Sequence, residues 1–191
     1  MLPKFLELAN NNKNNASMRI LGVVSIILIY FGLRIFLSKP KKYDLSRFDI
    51  LRDNVERIKE IYYDEHHNVK RHHDGKRIYY NVKNFPEIQK LIDHIPGVDA
   101  KTAKIYVMDF PMTCAPKLKK ERGWMRYELV LRGGRGCVFA TRNKRKIVED
   151  GQDTIYDPRV THKYFKRSIL TRLSLVIDVS DKQLCKNPCH Q

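Results

Sequence analysis

Apolar positions in the first third of the chain recur at helical spacing. A helix is predicted from Ser46, a suitable N-cap, to about Tyr62, because its apolar residues are three or four positions apart. These residues are Leu51, Val55, Ile58 and Tyr62. A second helix is predicted from Phe85 to Ile95, with Pro86 in its first turn. The chain between them includes a short strand at 77–82, and the polar sequence His-His-Asp-Gly at 72–75 is interpreted as a turn.

Short runs of β-branched, aromatic and aliphatic residues dominate the second half of the chain. They predict strands at 104–108, 126–131, 137–141, 154–157 and 173–179, separated by turns that contain glycine, asparagine or aspartate. Helices followed by many strands are typical of an α+β fold, here one built around a barrel-like β-sandwich.

The N-terminal region contains a separate apolar segment. From Ile20 to Leu37 the only charged residue is Arg34. These 18 residues compare with about 20 for a full membrane span, and an arginine near the end can extend to the headgroups. A transmembrane helix is therefore predicted at 19–38. A signal peptide is disfavoured because no small-residue cleavage site follows the run. The predicted organisation is a disordered tail at 1–18, the span, a basic linker at 39–47, a folded domain at 48–180 and a tail at 181–191.

The charge balance is strongly basic. Of the 191 residues, 42% are hydrophobic and 30% charged, with a formal net charge of +16, so the composition is that of a folded protein with acidic partners. Anionic lipid or an acidic polypeptide fits this charge. Nucleic acid is disfavoured, because the basic runs at 117–122 and 142–146 lack interleaved aromatic residues. More basic residues follow the apolar run than precede it, which favours a cytoplasmic C-terminal domain.

The segment from Ile155 to Val179 carries the candidate chemistry. Its predicted strand ends at Asp157 and leads into a turn that presents His162, and Arg172 opens the next apolar strand ten residues later. A neutral imidazole can bind a metal, and a guanidinium can bind a carboxylate through two parallel hydrogen bonds. Together they would hold a metal and a small dicarboxylate, as in non-haem iron oxygenases. The alternative is a surface turn with a solvated histidine and arginine.

An ordered series of motifs resembles the aspartyl/asparaginyl β-hydroxylase family. That family's pattern is W-x-E-G, a strand ending F-D-D, then E-H, an arginine ten residues later and a strand closing in V-D-V. The parallels here are VEDG at 148–151, IYD at 155–157, TH at 161–162, Arg172 and IDV at 177–179. Upstream, IPGV at 95–98 and RYELVL at 126–131 resemble the family's I-P-G-V and L-R-x-H-L-G-L, so the resemblance covers roughly 48–179.

The resemblance implies both a fold and a site. The implied fold is a double-stranded β-helix, related to the jelly roll, preceded by helices. The implied activity is hydroxylation of aspartyl or asparaginyl side chains with Fe(II) and 2-oxoglutarate. His162 would bind the iron, and Arg126 and Arg172 would bind 2-oxoglutarate. Relatives in animals carry the domain in the lumen, which opposes the orientation that the charge bias favours.

Two positions depart from the family pattern. Lys117 stands where the first iron-binding histidine is expected, and Glu128 replaces the second histidine of L-R-x-H, which helps to hold the cosubstrate. An ammonium has no lone pair for a metal. A shifted alignment cannot restore a ligand histidine, because none occurs between Asp109 and Trp124. Either the Lys117 ammonium takes the metal's place, which we favour, or Glu128 or Asp157 completes a rebuilt site with His162.

Three functional hypotheses follow. The protein is a membrane-anchored iron and 2-oxoglutarate dioxygenase, or it is an inactive pseudoenzyme that binds an anion or a peptide. In the third hypothesis it is a basic adaptor at a membrane surface, which uses its charge rather than the pocket.

Overall fold

A computed structural model describes residues 43–75, 77–109, 111–114, 123–141 and 145–184. All of them belong to one unit that begins at Lys42. The predicted span at 19–38 and Lys117 lie outside the described residues. Within the described ranges, no helix has the length and apolar character needed to cross a membrane.

The N-terminal helices are Asp49–Asp53 (α1), Val55–Glu65 (α2) and Pro86–Asp93 (α3). The first predicted helix therefore extends to Glu65 and breaks into two segments at Asn54. The turn before α1 is capped by Asp44 rather than by Ser46, since the Asp44 carboxylate accepts hydrogen bonds from the Ser46 amide and hydroxyl. Residues 43–47, assigned to the linker, are thus held against the domain, where the Asp44 amide also donates to the Leu184 carbonyl.

The strands follow in chain order. They are His72–Asp74 (β1), Arg77–Asn81 (β2), Val98–Met108 (β3), Met112–Cys114 (β4), Trp124–Arg132 (β5), Cys137–Thr141 (β6), Arg145–Val148 (β7), Asp153–Tyr156 (β8), His162–Lys166 (β9) and Arg172–Ser180 (β10). A short C-terminal helix, Asp181–Leu184 (α4), follows β10, and its Leu184 is buried.

The strands form two antiparallel sheets. One sheet has six strands in the order β1-β2-β3-β10-β5-β8, and the other has four in the order β4-β9-β6-β7. Side chains of β9 contact side chains of β5 and β10, so the two sheets face each other. The result is a β-sandwich with helices at its N-terminal end, as the α+β prediction expected.

Each long strand of the six-stranded sheet has one apolar and one more polar face. In β10, Leu173, Leu175, Ile177 and Val179 are buried and belong to the core that the sheet shares with the N-terminal helices. The alternate positions Arg172, Ser174 and Asp178 are also buried, but they face the four-stranded sheet. The N-terminal helices cover the apolar face of the six-stranded sheet. The buried polar residues lie on its opposite face, between the two sheets.

Four short strands were not predicted. β1 occupies the first three residues of the His-His-Asp-Gly segment that was interpreted as a turn, and Gly75, with a φ of 61°, follows it. β9 begins at His162, which the sequence placed in a turn. Its interior positions include His162 and Lys166, so the apolar alternation that signals a strand is absent. β4 has only three residues, and β7 begins with two basic residues, so neither shows the apolar alternation of a strand.

Candidate functional site

The interior of the sandwich combines an apolar cluster with buried polar side chains. The apolar cluster comprises Met108, Val130, Cys137, Phe139, Val148, Tyr156 and Tyr164. Beside it lie Glu128, His162 and Arg172, each no more than 4% exposed. Buried charges are retained in proteins only when they are paired or hydrogen-bonded. The partners of each group therefore define what the site can do.

Glu128 and Arg172 form an ion pair in the interior. The Arg172 Nη2 donates to Glu128 Oε1 over 2.8 Å, and the side chains are 1% and 6% exposed. Glu128 Oε2 accepts a hydrogen bond from the Tyr164 hydroxyl. The Arg172 guanidinium also lies 5.0 Å from the centre of the Tyr164 ring, a cation–π distance. Burial lowers the pKa of Arg172, but the Glu128 carboxylate together with Tyr164, Cys137 and Tyr156 outweighs this effect, so the net shift of the pKa is upward.

Tyr164 extends this network toward β8. Its hydroxyl lies 2.8 Å from the Tyr156 hydroxyl, and both groups are buried. Burial raises the pKa of Tyr164 well above its usual value, and the neighbouring Glu128 charge raises it further. Both tyrosines are therefore protonated at neutral pH and can donate hydrogen bonds. Sequence reasoning missed them, although Tyr164 has the same strand parity as His162.

His162 is buried, with one ring nitrogen fixed and the other without a partner. Nδ1 lies 2.8 Å from the Val160 carbonyl oxygen, to which it donates, so the neutral ring carries its lone pair on Nε2. Nε2 is buried and has no hydrogen-bond partner among the described residues. Burial lowers the pKa of His162, which favours the neutral ring.

The predicted site residues that the structure describes are bonded to different partners. Tyr164 contacts both His162, with ring centres 6.1 Å apart, and Arg172. No hydrogen bond or ring contact joins His162 directly to Arg172. Arg126 lies opposite Asp178 on the neighbouring strand and donates to its carboxylate over 3.0 and 3.4 Å. Asp157, the alternative ligand, is held in its turn by Arg159 over 2.6 to 3.1 Å.

A close backbone approach sets the position of Arg172. Gly133 follows β5 with a φ of 76°, and a Cβ atom there would lie 2.3 Å from the Thr171 carbonyl oxygen and 2.9 Å from the Arg172 Cα. Only glycine permits this approach at this backbone conformation. The contact brings the start of β10 against the end of β5, which places the Arg172 side chain beside Glu128.

The described donors do not fit a complete metal site. His162 Nε2 is suitable for one ligand, because the opposite ring nitrogen is oriented by a carbonyl, as in metal-binding histidines. The carboxylates of Glu128 and Asp157 are instead bonded to arginines. Among the described residues, no group of three or more histidine, cysteine, aspartate or glutamate side chains could hold a metal ion.

One small pocket among the described residues lies beside Arg172. It is lined by Glu128, Phe139, Thr154, Tyr164 and Arg172 among others, and its free volume is about 10 Å³. That volume corresponds to roughly one water molecule. In this conformation, Glu128 provides the carboxylate that Arg172 binds.

Some solved structures are similar to part of this chain. Solved structures with partial likeness include a predicted oxalate decarboxylase from Thermotoga maritima, with 12% identity over 59% of this chain and 91% of that one, at a TM-score of 0.42. A cupin-superfamily sugar phosphate isomerase from Silicibacter pomeroyi has 10% identity over 56% and 60%, at a TM-score of 0.37. At these scores the likeness carries no argument about function.

The family comparison is more extensive. No curated protein matches the chain. A family model described as aspartyl/asparaginyl beta-hydroxylase matches residues 51–182, which is more than half of the sequence and includes every strand described above. The chain therefore belongs to the aspartyl/asparaginyl β-hydroxylase family.

Proposed function

We propose that this protein is a membrane-anchored member of its family that binds a partner without hydroxylating it. The observation that carries the proposal is the buried pair between Arg172 and Glu128. The family resemblance assigns Arg172 to the cosubstrate. In this chain an internal carboxylate is bonded to its Nη2 atom, while Nε and Nη1 are buried without a hydrogen-bond partner among the described residues.

The pair is costly to open. A dicarboxylate that bound Arg172 would have to displace Glu128, and separating one partner from a buried ion pair costs about 3–5 kcal/mol. The Tyr164 hydroxyl, which also donates to Glu128, stabilises the closed arrangement further. Glu128 therefore competes with 2-oxoglutarate as an intramolecular ligand.

The sequence supports the same conclusion at the metal position. Lys117 replaces the expected first histidine, and an ammonium repels a cation instead of binding it. His162 would be left as a single imidazole ligand, whereas catalytic zinc sites, for comparison, use about three protein ligands.

A second candidate, an active Fe(II) and 2-oxoglutarate dioxygenase, is favoured by one observation. The Nε2 atom of His162 is buried and free of a hydrogen-bond partner among the described residues, as a metal ligand would be before it binds. A donor from outside the described ranges would have to complete the set.

Calorimetric titration of the full chain with Mn(II), and then with 2-oxoglutarate, separates the two candidates. The proposal expects no saturable uptake by the wild type and a new, stoichiometric uptake of Mn(II) after Lys117→His. The matched control is Lys101→His, which adds a histidine at an exposed position. Tight Mn(II) uptake by the wild type that disappears in His162→Ala would establish the dioxygenase instead.

We propose that residues 19–38 anchor the protein as a single membrane span. The support is the apolar run in the sequence, followed by a basic segment that favours a cytoplasmic domain. Alkaline carbonate extraction of membranes tests the anchor, because a spanning protein stays in the pellet. Protease protection of sealed vesicles then tests which side the domain occupies.

A further inference from the structure

The four-stranded sheet has an unusual charge distribution. Within its strand bounds, β4, β6, β7 and β9 contain no aspartate or glutamate. The same strands carry four basic residues, Arg145, Lys146, Lys163 and Lys166. By contrast, α1 and α2, which pack on the other sheet, carry six acidic and three basic residues. The four-stranded sheet therefore carries a net positive charge within its strand bounds, whereas α1 and α2 together carry a net negative charge.

The outer face of this sheet also presents an apolar row. Val138 pairs with Phe165 on one side and with Ile147 on the other, so the three side chains stand next to one another across β9, β6 and β7. Their strand neighbours Phe139, Tyr164 and Val148 point into the interior cluster, so this row points outward. Ile147 is 68% exposed, and the other two are half-buried.

A basic row lies directly beside the apolar one. Ala140 pairs with Lys163 and with Arg145, and both basic side chains are exposed. The outer face thus carries one apolar strip and one cationic strip side by side. No helix among the described residues packs against it, since the N-terminal helices lie on the six-stranded sheet.

The loop after β9 adds two aliphatic side chains at the end of the sheet. Ile169 is 83% exposed and Leu170 is 51% exposed. The loop is held in place by the buried Lys166 ammonium, which donates to the Ser168 carbonyl over 2.7 Å, and by the Arg167 amide, which donates to Gly136. Single exposed apolar residues are ordinary, whereas this loop exposes two adjacent aliphatic side chains directly after β9.

We propose that the outer face of the four-stranded sheet docks on an anionic lipid bilayer. Each basic side chain next to a negatively charged leaflet strengthens binding by about fivefold, and aliphatic side chains stabilise the bound state by entering the acyl boundary. An RNA or an acidic polypeptide would bind the lysine and arginine side chains but would gain nothing from the exposed isoleucine side chains. The inference draws support from the proposed anchor, which would keep the domain close to a membrane.

Hydrogen exchange of the full chain with an excess of vesicles tests the docking face. Vesicles of phosphatidylcholine are compared with vesicles that contain about 30% phosphatidylserine, an anionic lipid. Docking predicts slower exchange in peptides that cover 137–141, 145–148 and 162–171 with the anionic vesicles alone. It also predicts that the protection weakens as salt is added.

Charge removal on the face provides the matched comparison. Lys163→Gln with Arg145→Gln should weaken the phosphatidylserine-dependent association by about fivefold for each charge removed. Lys83→Gln with Lys90→Gln removes two exposed charges near the N-terminal helices and should leave the protection in place. Ile147→Ser tests the contribution of the apolar row. For each variant, a urea unfolding curve like that of the wild type shows that the domain is intact.

Two outcomes would overturn the proposal. One is equal exchange of these peptides with neutral and anionic vesicles. The other is protection of the same peptides by single-stranded RNA or polyglutamate, with none from anionic vesicles. Association with pure phosphatidylcholine vesicles measures the membrane anchor alone. The additional protection with phosphatidylserine vesicles measures the docking face, so the two proposals are tested separately.

Discussion

Glu128 accepts a hydrogen bond of 2.8 Å from the Arg172 guanidinium inside the sandwich, where both side chains are almost fully buried. The two residues are 44 positions apart and lie on adjacent strands of the six-stranded sheet. The proposed function rests on this pair, because the family resemblance assigns Arg172 to the carboxylate of a cosubstrate. Four predictions follow from the pair and its surroundings.

Glu128→Gln should destabilise the domain by about 3–5 kcal/mol, because it leaves the buried Arg172 charge without its counter-ion. Urea unfolding followed by the fluorescence of Trp124, the only tryptophan, measures the change. The double variant Glu128→Gln with Arg172→Met should recover much of the loss, since it removes both charges. If Glu128→Gln were as stable as the wild type, the pair would not be formed in solution.

Tyr164→Phe should cost more stability than Tyr156→Phe. The Tyr164 hydroxyl donates to the Glu128 carboxylate, and a hydrogen bond to a charged group contributes about 1.5–3 kcal/mol. The Tyr156 hydroxyl is bonded to Tyr164, a neutral pair worth about 0.5–1.5 kcal/mol. The two substitutions remove the same atom from neighbouring buried rings, so each is a control for the other. If urea unfolding showed the same loss of stability for both variants, Tyr164 would not be the tyrosine that donates to Glu128.

Gly133→Ala should be more destabilising than Gly151→Ala. Both glycines have positive φ angles, 76° and 74°, so alanine is strained at either by about 1–2 kcal/mol. At Gly151 the added methyl meets open space, whereas at Gly133 it lies 2.3 Å from the Thr171 carbonyl oxygen. The excess loss at Gly133, measured by urea unfolding, reports the close approach that places Arg172. If Gly133→Ala lost no more stability than Gly151→Ala, β10 would be able to shift away from Gly133 at no cost in free energy.

His162 should make the domain less stable in mild acid. Burial lowers the pKa of His162 in the folded state, so below its usual value of about 6.5 the unfolded chain binds a proton that the folded chain resists. The contribution is present above that pH and is lost as the pH falls toward the folded pKa.

Replacing His162 with a neutral glutamine tests this pH dependence. The free energy of unfolding of His162→Gln should fall less steeply than that of the wild type between about pH 6.5 and 5, with a difference of at most about 1.4 kcal/mol per pH unit from one proton. His67→Gln, at an exposed position, is the matched control. Identical slopes for His162→Gln and the wild type would show that the ring is accessible to protons in the fold.

The helices and the long strands were accessible to sequence reasoning because their signals are local. Leu51, Ile58 and Tyr62 recur at helical spacing and do form the buried side of the helices. β5 and β10 alternate apolar and polar residues, and both lie close to their predicted bounds. The ordered motifs around these strands were also sufficient to place the chain in its family, which the family comparison confirms.

The partners of the site residues depended on the tertiary structure. Nothing in the sequence near Arg172 shows that its guanidinium is bonded to Glu128, or that Arg126 is bonded to Asp178. Those pairs depend on strand register and on the close approach at Gly133, which are non-local. β9 was not predicted for a related reason. Its inward-facing residues are polar, and their burial is favourable only beside buried partners on the facing sheet. Local periodicity determined which residues form the elements, and packing between the two sheets decided which charges neutralise each other.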